Sequence, residues 1–116
     1  MSIAVPLEEL RDAIEQRGWF AFVAASGTDS RPRISHRALT WVEGTLQLEV
    51  GRGTALAVVA HPSVSVLWPD LDDQTYSLIV DGDGSVDWVD PDRPVLTIRP
   101  TWAVLHRSAR TPPAQD

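Results

Sequence analysis

Strand-length segments broken every few residues by Gly, Asp and Pro constrain this chain more than any other feature. Residues 45–50 (TLQLEV) alternate without a fault. Leu46, Leu48 and Val50 fall on one face and Thr45, Gln47 and Glu49 on the other, which is the period of a strand. The Glu43-Gly44 pair before them reads as a hairpin turn. Residues 19–26 (WFAFVAAS) form a strand apolar on both faces and therefore central in a sheet. Residues 33–42 (RISHRALTWV) form a second, with Arg33, Ser35 and Arg37 on one face and Ile34, His36 and Ala38 on the other. In residues 63–68, Val64, Val66 and Trp68 share a face. Residues 75–82 and 85–89 read as strands joined by a tight Asp83-Gly84 turn. Residues 94–107 make a last strand, with a bend or bulge expected at Pro100.

Helical periodicity is confined to two places. In residues 6–17, Leu7, Leu10, Ala13 and Ile14 fall on one face, Pro6 suits the first position, and Gly18 can end the helix. A short helix is expected from Thr54 to Ala60, with Thr54 as its cap. Residues 69–74 read as an exposed loop and residues 108–116 as a flexible C-terminal tail. One short helix among strands excludes repeated βαβ units and favours a closed or half-closed antiparallel barrel, a single domain over residues 1–107.

Charge and composition exclude several function classes. The formal net charge is −6, which opposes nucleic-acid binding in the absence of a focused basic face. All ten basic residues are arginine, so Schiff-base lysine chemistry is excluded and planar anion recognition is favoured. With no cysteine there is no thiolate nucleophile, disulfide or Cys-based metal site, in keeping with a reducing cytoplasm. No run approaches the ~18 apolar residues of a membrane span.

Few motifs carry chemistry. In "VGRGT" a strand ends, Arg52 stands between two glycines, and a helix begins. Exposed amides at a helix N-terminus together with Arg52 can hold a phosphate, although the same residues also make an ordinary strand-to-helix turn. The run has neither the length nor the lysine of a P-loop. Arg33, Ser35 and Arg37 can line an anionic ligand or form a solvated face. Ser35 and His36 point to opposite faces of a strand and cannot act as nucleophile and base. His36, His61 and His106 match no metal-ligand spacing. Five tryptophans among eight aromatic residues suit a core, a dimer seam or a wall against a flat ring; core packing is the first reading for Trp68 and Trp102.

Taken together, "FAFVAASGTDSRPRISH", "EGTLQLEVGRGTALAVVAHPSVSVLW" and "YSLIVDGDGSV" resemble the pyridoxamine 5′-phosphate oxidase-like, FMN-binding split-barrel superfamily. The resemblance spans residues 7–107 and lies in the order and spacing of the whole set. It implies a mainly β fold: a six-stranded antiparallel split β-barrel with one N-terminal helix and one short helix. Such barrels form homodimers whose two clefts hold FMN or, in some branches, the deazaflavin F420. Carried over, Arg33, Ile34, Ser35 and His36 match the strand that lines the flavin ring, and Arg52 and Thr54 match the phosphate-binding turn. Trp102 and Arg107 match a segment that reaches the flavin. Many members carry a lysine where this chain has Thr54, so Arg52 and the helix amides are left to hold the phosphate. The expected function is that of a cytoplasmic FMN-dependent oxidoreductase acting on a small molecule. The alternatives are an F420-dependent reductase of the same fold and a cofactor-free dimeric binding module. Only His36 and His106 offer themselves as acid or base. No metal, nucleic acid or membrane is expected as a partner.

Overall fold

The computed structural model describes residues 2–70, 76–107 and 113–115. Its elements run β1 (Ser2–Ala4), a 3-10 turn (Leu7–Glu9), α1 (Leu10–Glu15), β2 (Phe20–Ser26), β3 (Pro32–Ala38), β4 (Thr40–Val42), β5 (Thr45–Glu49), α2 (Arg52–Ala60), β6 (Ser63–Trp68), β7 (Tyr76–Asp87) and β8 (Val95–Arg107). All strand pairings are antiparallel, in the order β3-β2-β6-β7-β8-β5-β4, with β1 on the free side of β8. The sheet curls until β3, at one end of this path, approaches β5, next to the other end. The result is the expected mainly β split barrel.

Eight strands replace the expected six, for two reasons. The second expected strand changes partner at Leu39. Its first part, β3, pairs with β2; the Leu39 amide then donates to the Trp19 carbonyl at 2.7 Å, and the rest, β4, pairs with β5. Leu39 is buried, so this is a barrel corner rather than a loop. The other addition is β1, whose three residues were too few to show a period. The 43–44 turn is as expected: Glu43 and Gly44 both have positive φ (48° and 81°), the conformation of a type I′ hairpin.

The expected turn at Asp83-Gly84 is absent. β7 runs straight through it, paired with β8 from Tyr76 to Asp87. These glycines serve close packing, since neither has positive φ. A methyl group on Gly84 would stand 2.7 Å from Val58 Cγ1 of α2, and one on Gly82 would stand 2.6 Å from the Arg99 carbonyl oxygen. The Gly82 obstacle is backbone and cannot rotate away. Gly82→Ala is therefore expected to destabilise the fold by ~1–3 kcal/mol through overpacking, read as a lower midpoint in thermal unfolding. The bulge expected at Pro100 is present: Gly82 pairs with Pro100 and Asp81 with Trp102, so Thr101 is the extra residue.

The first helix is shorter than residues 6–17. A 3-10 turn precedes α1, and Gly18 (φ 96°) ends it by donating to the Ile14 carbonyl at 2.9 Å. α2 begins at Arg52 with Gly51 as its cap, so Thr54 lies inside the first turn and is not the cap. Leu10 and Ile14 of α1 are fully buried, and Ala55 and Val58 of α2 join the same core. α2 leads into the start of β6, whereas Trp68 at its far end hydrogen-bonds to Gly18 just after α1, so the helices cover opposite ends of that strand. Part of the 69–74 loop and most of the 108–116 tail lie outside the described residues.

β2 is central in the hydrogen-bonded order, between β3 and β6, but only one of its faces is buried. Ala21, Val23 and Ala25 enter the core, while Phe20 (66% exposed) and Phe22 lie outside. An apolar outer face left open is the first pointer to a functional surface.

Candidate functional site

Register divides the β3 side chains cleanly. Arg33, Ser35 and Arg37 stand opposite Ala25, Val23 and Ala21, on the core side of the sheet. Ile34 and His36 stand opposite Ala24 and Phe22, on the outer side. The four ring-lining candidates therefore belong to two surfaces.

The core-side set meets the helix start. The Arg33 guanidinium lies against Gly53 of α2: a methyl group there would stand 3.0 Å from Arg33 Nη1. Gly53 is thus a seat for Arg33, flanked by Arg52 and Thr54. The α2 N-terminus has no side-chain cap and no acidic residue in its first turn, so its leading amides and the positive end of its dipole carry no internal counter-charge. Beside Arg33, Ser35 Oγ and Arg37 Nε are shielded from solvent with no hydrogen-bond partner. Arg11, Arg31, Arg93 and Arg99 pair with carboxylates, whereas no such pair engages Arg33, Arg37 or Arg52 among the described residues. Cationic donors and helix amides with no internal acceptor fit an anionic oxygen cluster such as a phosphate.

The outer set is apolar. The His36 ring stacks on Phe22 (centroids 4.5 Å apart, planes at 15°) and meets Phe20 edge-on at 6.3 Å. The same row continues across the sheet through Leu67 and Ile79. Ile34, 71% exposed, begins the next row, which continues through Ala24, Ser65 and Asp81 to Trp102.

Trp102 and Arg107 do not join Arg33 and Arg52 within one chain. Trp102 stands four strands from Ile34 along the hydrogen-bonded path, and Arg107 pairs with Tyr76 at the far end of β8. Of the two tryptophans read first as core, Trp68 is buried and Trp102 is 50% exposed. His61 is an exposed residue at the α2 C-cap, and His106 faces Ser2, with Nδ1 3.3 Å from the hydroxyl oxygen. Among the described residues no group of His, Asp and Glu is placed to hold a metal, and no helix is long and apolar enough to cross a membrane. Sequence reasoning passed over Gly53, Phe22 and Asp81. The double apolar face of residues 19–26 was the available signal for Phe22.

No protein-family model matches the chain, and no curated protein matches it by sequence. Solved structures do match by shape. A protein assigned as a candidate pyridoxamine 5′-phosphate oxidase from Listeria innocua superimposes with a TM-score of 0.70 at 18% identity, over 86% of this chain and 98% of that one. An F420 reductase gives 0.66 at 17% identity, over 79% and 94%. HutZ, a haem storage protein from Vibrio cholerae, gives 0.67 at 13% identity, over 90% and 98%. At these identities the likeness is one of fold: the chain has the split-barrel fold shared by pyridoxamine 5′-phosphate oxidase-like proteins.

Proposed function

We propose that the protein is an FMN-binding oxidoreductase that works as a homodimer on a small molecule. One observation carries the reading: the Arg33 guanidinium rests on Gly53 at the uncapped start of α2, beside Arg52, with no carboxylate paired to either arginine among the described residues. That corner suits the FMN phosphate, and the arginines offset the lysine missing at Thr54. The buried, unpartnered Ser35 Oγ and Arg37 Nε are further donors for an anionic or carbonyl-rich ligand on the same side of β3. When bound, the flavin supplies the electron or hydride transfer, and the protein supplies binding and orientation.

The exposed Phe20 and His36, bordered by Phe22 and Ile34, suit the seat of a second copy over β2 and β3. In that arrangement Trp102 and Arg107, out of reach within one chain, come to the cleft from the partner. F420 also carries a phosphate on its ring-bearing chain, there as a diester, and the likeness to an F420 reductase makes it the second reading.

Titration of the purified protein with FMN, followed by flavin fluorescence, tests the reading, with F420 as the competing ligand. Saturation at one FMN per chain, together with a dimer by light scattering, is the expected result. Saturation by F420 alone transfers the reading to the deazaflavin. Uptake of neither ligand overturns it in favour of the cofactor-free dimeric binding module, and a monomer overturns the dimeric site.

A further inference from the structure

The outer face of the sheet carries a trough that the anion corner does not use. Its apolar part, about 390 Å³, is lined by Phe22, Ala24, Ile34, Leu67 and Ile79 together with Ser65. A polar part of about 480 Å³ shares Ala24 and Ser65 with it, so the two are continuous, and ends among Ser63, Asp81, Asp83 and Thr101.

At that polar end two hydroxyl hydrogens are already committed to Asp81. The Ser65 hydroxyl donates to Asp81 Oδ1 at 2.5 Å, and the Thr101 hydroxyl donates to the Asp81 carbonyl at 3.2 Å. Asp83 is neutralised by Arg99, whose Nη2 lies 2.9 Å from Oδ2. Asp81 is half-buried and has no cationic partner among the described residues, and no hydrogen bond to its Oδ2 is found there. The half-exposed Trp102 ring stands opposite it in register. The Asp81 end is therefore rich in acceptors, carries one uncompensated negative charge, and has an aromatic ring beside it. It calls for a positively charged N–H donor, which the ring can also attract. The chain's charge of −6 steers in the same direction.

We propose that this trough binds an organic cation, with an apolar body against Phe22, Ile34 and Leu67 and a protonated amine or amidine held by the Asp81 carboxylate beside Trp102. Binding does not depend on a flavin. Identifying the ligand as the substrate of the oxidoreductase rests on the reading above, because Ile34 and Phe22 also border the face given to the second copy.

Calorimetric titration of the full chain, without FMN and at low ionic strength, tests this with 1-naphthylmethylammonium, 1-naphthylmethanol and 1-naphthoate. The ammonium is expected to bind about tenfold or more tighter than the alcohol, the worth of one charge-assisted hydrogen bond, and the carboxylate more weakly than both. Asp81→Asn is expected to reduce the ammonium to the affinity of the alcohol, and Asp83→Asn to leave the preference intact. Equal binding of ammonium and alcohol overturns the proposal, and so does a preference that survives Asp81→Asn. The comparison on the unmodified chain stands even where a variant fails to fold. The FMN titration separates the two readings: cation preference without FMN uptake sinks only the flavin, and FMN uptake without cation preference sinks only this site.

Discussion

Replacing Trp68 with Ala is expected to remove ~3–5 kcal/mol of stability, the range for deleting a buried aromatic ring. Trp68 is 1% exposed and heads the largest fully buried side chains. Its indole N–H donates to the Gly18 carbonyl at 3.0 Å, tying the end of α1 to the end of β6. The substitution leaves a cavity and also strips that carbonyl of its partner, at a further cost of order 1–3 kcal/mol if water cannot reach it. A domain of this size has only ~5–15 kcal/mol to lose, so the variant should unfold at a much lower urea concentration. Trp68→Phe keeps most of the volume and should lose less. Trp102→Ala, at a half-exposed ring, should change stability little. A Trp68→Ala loss below about 1 kcal/mol would contradict this account of the core.

The contrast between these two tryptophans shows what was legible in the sequence. Where one face of a strand is buried and the other wet, alternation names the core, and Leu46, Leu48, Val64, Val66 and Trp68 are all buried as expected. Trp102 escapes that logic because the bulge at Thr101 shifts the period just before it. Gly84, which follows Gly82 in β7, was misread for a different reason. An Asp-Gly pair signals a turn locally, but here the glycines make room for Ile98, the Arg99 backbone and Val58, which only the closed barrel brings near. The partner change at Leu39 likewise depends on where β2 ends and β5 begins.

The candidate site was legible residue by residue but not as an assembly. Arg33 and Arg52 could each be named as an anion ligand from its neighbours in sequence. Their convergence on Gly53 requires β3 to curl toward β5, which no local pattern encodes. The trough at Asp81 was invisible for the same reason: alternation places Asp81 in a strand but does not show its surroundings, and its half-burial comes from β6 and β8 on either side.

Removing both Arg33 and Arg52 is expected to weaken FMN binding by about a hundredfold, on the flavin reading. A hydrogen bond to a charged group contributes ~1.5–3 kcal/mol, and two such bonds give ~3–6 kcal/mol, or more than a hundredfold. Both side chains are exposed, so solvent screening takes the expectation to the low end of that range. The measurement that isolates the phosphate compares FMN with riboflavin, which carries the same ring without the anion. The double Ala variant should lose its preference for FMN and keep its affinity for riboflavin. Arg99→Ala, whose guanidinium is engaged by Asp83, should alter neither. Equal losses for the two ligands would move the arginines to the ring or to the fold. No loss for either would leave the α2 N-terminus an ordinary turn, with Arg33 resting on Gly53 for packing alone.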